Sequence, residues 1–144
     1  MTSLKGFICT IFGAVGGFIA QLFGGWTEDM VTLVVFMAVD FIMGLVIAGV
    51  FHKSNKSENG NLNSKAGWKG LSKKCITLLF VLVAHRLDVS LGTSYIRTAT
   101  IIGFIINEAI SVVENAGIMG LPLPQAITGT IDVLKRRDED DEDY

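Results

Sequence analysis

The sequence is poor in the residues that catalysis and metal binding draw on. It has two cysteines, Cys9 and Cys75, and two histidines, His52 and His85, all far apart. No histidine has a companion at metal-ligand spacing. Both cysteines sit in apolar surroundings, where a thiol acts as a small hydrophobe, so no disulfide is expected. No glycine-rich phosphate loop follows a strand pattern, and no Ser/His/Asp constellation is visible. No catalytic residue, metal ligand or cofactor is therefore expected, and the chain does not read as an enzyme. The two prolines, Pro122 and Pro124, sit together in "GLPLP", where they end the helical pattern before them. Residues 6–27 hold no charged side chain.

What is present is apolar. Half of the 144 residues are hydrophobic and the mean hydropathy is +0.51, more than a soluble domain of this length concentrates. Charge is unevenly spread. Six of the fourteen acidic residues lie in the final "DEDDEDY", and six of the twelve basic ones between His52 and Lys74. Without those six acids, twelve basic residues face eight acidic ones and the formal charge of −2 becomes +4, so the balance mostly reports the tail. This is the composition of a small integral membrane protein.

About 20 apolar residues cross ~30 Å of hydrocarbon as a helix, and residues 6–27 are long enough. Gly6, Thr10, Gly13, Gly17, Ala20 and Gly24 recur at three- and four-residue intervals. That face lets another backbone approach closely, with Gly13 and Gly17 as packing candidates. The segment either spans or lies in the interface. A cleavable signal peptide is disfavoured because apolar sequence continues past Ala14-Val15-Gly16. Residues 30–51, "MVTLVVFMAVDFIMGLVIAGVF", form the clearest span. Asp40 lies at the middle, where a carboxylate costs roughly 2.5–3.5 kcal/mol on insertion scales. Gly44, one turn later, would let a neighbouring helix close over a neutral, hydrogen-bonded Asp40. Both are interior packing candidates.

The Ser-, Asn- and Gly-rich stretch from His52 to Lys74 reads as a loop with six lysines and one glutamate. "CITLLFVLVA" is too short to span alone. Extended from Leu71 to Leu91, with lysines snorkelling at one end and Arg86 at the other, it becomes a third span. The last long segment covers residues 93–116. At 100° per residue, Asn107, Glu108, Ser111, Glu114 and Asn115 share an arc of about 120°. Thr93, Arg97 and Thr100 continue it upstream. A stripe with Arg97, Glu108 and Glu114 is too costly to face lipid. It can pack against Asp40 within one chain, join equivalent stripes in an oligomer, or line water. So short a chain offers little bundle to hide it, which favours the oligomer. Arg97, Thr100, Asn107, Glu108, Ser111, Glu114 and Asn115 are accordingly the candidate pore-facing or oligomer-facing residues.

Lysine-rich loops stay cytoplasmic. The 52–74 linker should be inside, the acidic "TED" and the balanced turn at residues 86–97 outside, and Lys135–Arg137 inside. Four spans with both termini cytoplasmic satisfy these counts; three spans leave the first segment on the surface. The fold class is thus an all-α integral membrane protein with three to four transmembrane helices, the first glycine-rich. A short amphipathic segment with Ile127, Ile131 and Leu134 on one side follows, then an acidic tail. Residues 1–134 form the membrane-embedded domain and 135–144 a charged cytoplasmic tail, read as solvated.

"CTIFGAVGGFIAQLFGGW", "VFMAVDFIMGLV", "SKAGWKGLSKK", "AHRLD" and "INEAISVVENAGIMGLPLP" occur in this order. Over about residues 3 to 130 they resemble the phage holin family that includes clostridial toxin-secretion holins. The resemblance implies a multi-pass protein of the bacterial cytoplasmic membrane, from a phage or prophage of a Gram-positive host. It also implies assembly into lesions that release a cell-wall hydrolase, an endolysin, or a secreted toxin, without necessary direct contact. The expected partners are the lipid bilayer and further copies of the chain, with no nucleic acid. The alternatives are a small non-lytic ion channel or transporter subunit, in which Asp40 and the stripe handle ions or protons, and a structural protein anchoring a partner through its tail.

Overall fold

The structure, a computed structural model, describes residues 2–142, with the side chains of residues 3–137. Among the described residues there are five α-helices: α1 (Thr2–Leu22), α2 (Glu28–Val46), α3 (Ser64–Leu91), α4 (Ile96–Ile118) and α5 (Gln125–Glu142). A π-helical turn, Ile47–Phe51, extends α2. No strand occurs among the described residues. Among the described residues, three helices are long and apolar enough to cross a membrane: Ser3–Leu22, Glu28–Phe51 and Ile96–Ile118.

Local chemistry sets the boundaries. α1 stops where Gly24 and Gly25 take φ of +83° and +94°, so the expected 6–27 segment turns before its end. α2 opens with Glu28 and Asp29 in its first turn, where carboxylates complement the helix dipole. α3 begins at Ser64, well before the expected Leu71, because the Asn63 side chain accepts from the Lys65 N–H at 2.8 Å and caps it. Lys65, Lys69, Lys73 and Lys74 are therefore helical, and the loop is only residues 52–63. α3 ends at Gly92, φ +67°. Asp88, one turn before that end, then caps the next helix: its carboxylate accepts from the N–H of Ile96 at 3.1 Å and of Arg97 at 2.8 Å, and from the Thr93 hydroxyl at 2.6 Å. α4 closes on Gly120, φ +74°, ahead of Pro122. α5 runs unbroken across the expected 134/135 boundary, and the tail's acidic side chains from Asp138 onward lie outside the described residues.

α2, α3 and α4 form the bundle, with the closest packing between α2 and α4. On α2 and its π-turn the inward positions are Met30, Leu33, Met37, Asp40 and Ile47; on α4 they are Arg97, Ile101, Glu108 and Asn115, with Phe104 and Ser111 between. Three- and four-residue steps of this kind make a helix seam. Apolar residues fill one part of it, Met30, Leu33, Met37, Val81 and Ile101 with Leu78 and Phe104 against them, and polar ones fill the rest. Asp29 meets Arg97 and Asp40 meets Ser111 and Asn115, so α2 and α4 run parallel. Two parallel spans need a return passage between them. α3, with 28 residues and about 42 Å of length at ~1.5 Å per residue, runs antiparallel to both and is long enough for that return.

α1 stands apart, touching the bundle lightly at α3. Its Phe7, Phe12 and Phe18 are each more than 60% exposed. Ile42, Leu79, Phe80 and Val83 of the bundle are also exposed. In water such a surface would be an aggregation liability; in a bilayer it is the solvent-matched face. Cys9 and Cys75 are free and lie on this exposed surface.

Candidate functional site

Asp40 is 4% exposed and all three bundle helices converge on it. Its Oδ2 accepts from Lys74 Nζ of α3 at 2.8 Å. Its Oδ1 accepts from the Ser111 hydroxyl at 2.5 Å and from Asn115 Nδ2 at 2.8 Å, both on α4. The same Lys74 ammonium donates to Glu108 Oε2 at 2.7 Å. Two carboxyl groups thus share one ammonium, all three nearly closed off from the surroundings. A carboxylate is tolerable inside a membrane only when paired and hydrogen-bonded, and this knot meets that condition. No buried side-chain nitrogen or oxygen lacks a partner among the described residues.

The knot places part of the sequence-derived stripe within one chain. Glu108, Ser111 and Asn115 turn inward onto Asp40 and Lys74, so the bundle hides them despite its size. Sequence reasoning missed Lys74, which was expected to snorkel outward and instead points in. No sequence signal separates it from the adjacent Lys73, which is exposed. Thr100 bonds back to the Ile96 carbonyl at 2.7 Å and is half-buried. Asn107 and Glu114 are exposed, and Glu114 pairs with Lys135 of α5 at 2.6 Å. Gly44 borders a cavity; a Cβ there would meet nothing within 4 Å. The helix that covers Asp40 therefore does so elsewhere, through Ser111 and Asn115. Gly13 and Gly17 likewise meet nothing within 4 Å, leaving the small-residue face of α1 unpartnered within the chain.

Arg97 belongs to a second cluster. Its guanidinium donates to the Phe23 carbonyl, to the Gly25 carbonyl at 3.1 Å and to the Thr27 hydroxyl at 3.0 Å, and lies 3.8 Å from Asp29 Oδ2. It clasps the α1–α2 loop against the start of α4. Gly24 fits there because a Cβ would come within 2.6 Å of the His85 ring. "FGGW" and "AHRLD", distant in sequence, thus meet at one end of the bundle.

From the other end, a cavity of about 570 Å³ runs between the π-turn, the 54–63 loop, α3 and α4 down to Asp40, Lys74, Glu108 and Ser111. The knot is therefore closed toward α2 and α4 but approached by open space on its lysine-rich side.

A small bundle of parallel and antiparallel membrane helices, tied by a buried charge knot and lacking a large apolar core, defines a class of multi-pass membrane protein. The particular family follows from comparison: residues 17–136 match the bacteriophage holin family, and the chain belongs to it. It is 36% identical over 133 residues to an uncharacterised protein of Listeria innocua, covering 92% of this chain and 87% of that one. It is 36% identical over 123 residues to one of Halalkalibacterium halodurans, covering 81% and 85%. A protein of Bacillus phage phi105 named "Probable holin" is 29% identical over 117 residues, 81% of this chain and 80% of its own. No solved structure matches.

Proposed function

We propose that the chain works as a holin: it accumulates in the bacterial cytoplasmic membrane, oligomerises and opens a permeabilising lesion through which a cell-wall hydrolase or an exported protein leaves. The role is non-enzymatic. The observation that carries this reading is the knot's imbalance, two carboxyl groups to one ammonium at the seam of a bundle with little apolar core. In the closed bundle the extra carboxyl must be held by few partners. Around an aqueous opening it is hydrated at little cost. The stripe thus favours the open form, and the exposed Asn107 and Glu114 extend the polar surface that copies can turn toward one another.

The runner-up, a small non-lytic ion channel, draws on the cavity that reaches Asp40 from one side only. Induction in a bacterium separates the two. Abrupt loss of membrane potential after a lag is the expected result, whereas graded flux without death contradicts it. In the proposed orientation four helices cross, both termini are cytoplasmic, and the 52–63 loop is inside with the lysine-rich start of α3, whose lysines together with Lys53 and Lys56 favour that side. A cysteine placed at Asn61 in a Cys9→Ser, Cys75→Ser background should resist impermeant thiol reagents in intact cells before lysis; labelling from outside contradicts that orientation.

A further inference from the structure

The cavity above the knot has contents of its own. Lys56, Lys69 and Lys73 line it, and among the described residues none of the three has an ion-pair partner. The opposite wall is apolar, with Leu45 and Ala48 of α2 and its π-turn. Gly70 contributes bare backbone, and a Cβ there would meet nothing within 4 Å. Depth matters too. The rise from Asp40 to Phe51 is about 16 Å at ~1.5 Å per residue, which carries the cavity from the bilayer middle to the headgroup level of a ~30 Å core. Cations on one wall, hydrocarbon on the other and a mouth at headgroup height describe a receptor for an amphiphilic anion. The carboxyl pair at the inner end keeps the anionic group outward, toward Lys56 and Lys69, with Lys73 below them next to Lys74.

We propose that this cavity binds a phosphate group, carried either by an anionic phospholipid or by free phosphate, with Lys56, Lys69 and Lys73 as its ligands. Basic pockets between membrane helices bind anionic headgroups by the same chemistry. The inference needs only the membrane placement, not permeabilisation, so binding measured in vesicles can fail or succeed independently of lysis.

Trp68 lies on α3 between Gly67 and Lys69, which both line the cavity, and is itself 71% exposed, so it reports the occupant. The full chain carrying Trp26→Phe is reconstituted in phosphatidylcholine vesicles containing brominated phosphatidylglycerol or, in parallel, brominated phosphatidylcholine. Trp68 quenching is expected to favour the brominated anionic lipid by about fivefold. Lys69→Gln with Lys73→Gln should abolish the preference. Lys53→Gln with Lys65→Gln removes the same charge from positions outside the cavity and should preserve it. Equal loss in both double variants, or a wild-type cavity with neither a lipid preference nor a change in Trp68 emission on adding inorganic phosphate, overturns the site and leaves only diffuse surface attraction. Inorganic phosphate added at constant ionic strength identifies the source. Displacement of the brominated lipid assigns free phosphate, no displacement assigns the lipid headgroup, and both results keep the phosphate site.

Discussion

Replacing Lys74 by methionine is expected to deplete the protein from the membrane fraction. The substitution leaves Asp40 and Glu108 buried with no ammonium between them, and removing one partner of a buried ion pair costs about 3–5 kcal/mol. Hydrophobic burial cannot compensate, because the clustered apolar core is small: Met30, Leu33, Met37, Val81 and Ile101 with a few half-buried neighbours. The added apolar side chain does not explain the loss, since methionine itself is welcome in a bilayer. A rescue separates charge from shape: adding Asp40→Asn and Glu108→Gln to Lys74→Met should restore accumulation. The amides carry no charge to neutralise, and the new carboxamide at position 40 can still accept from Ser111 and Asn115. Quantitative immunoblots of membrane fractions for the wild type, the single and the triple variant decide the matter. A Lys74→Met protein that accumulates normally, or a triple variant no better than the single, shows that the knot does not hold the bundle.

The second large effect is expected at the clasp. Arg97→Lys keeps the charge but replaces a planar fork by one ammonium, which cannot reach the Phe23 and Gly25 carbonyls and the Thr27 hydroxyl together. Each hydrogen bond to a charged group contributes about 1.5–3 kcal/mol, so loss of one or two should raise opening of the 23–27 loop by tenfold or more. Gly24→Ala should act on the same loop by a different cause: a Cβ at φ +83° that also runs into the His85 ring, a left-handed conformation costing about 1–2 kcal/mol. Chymotrypsin cleavage at Phe23 and Trp26 in membrane vesicles reads both. Arg86→Lys, at an exposed position, should cleave at the wild-type rate. Unchanged cleavage in both Arg97→Lys and Gly24→Ala would mean that α1 is positioned by lipid and not by the clasp.

Much of this architecture could be read in the sequence, and the reasons are specific. Residues 30–51 announce a span because only Asp40 interrupts them, and the stripe on α4 is visible because a helix repeats every 3.6 residues. The family resemblance also fixes the order of the segments. What could not be read is pairing between elements. The stripe gives an angle on α4 but not the neighbour that faces it, so Glu108, Ser111 and Asn115 looked destined for other copies of the chain. Their partners, Asp40 and Lys74, come from helices whose seams align only after packing. Lys74 was concealed in a lysine-rich run whose other members, Lys65, Lys69 and Lys73, are exposed. Loop composition also masked the start of α3, because Asn63 serves equally well as a loop residue and as a cap. Asp88 has the same ambiguity: near Arg86 it looks like turn charge, but it caps α4.

In the proposed function the polar seam holds a closed form and favours an open one. The most direct test of that claim is dye entry timed against membrane-fraction protein for the Glu108→Leu, Ser111→Leu double variant. In that variant Lys74 and Asp40 pair one to one, Asn115 still donates to Asp40, and the extra carboxyl is gone. The closed bundle gains and the open form loses two groups that water would solvate. The variant should accumulate at least as well as wild type while permeabilisation is delayed or abolished. Leucine at Ile102 and Val113, outside the knot, should leave the timing unchanged. A double variant that accumulates to normal levels and admits dye on the wild-type schedule would contradict the claim.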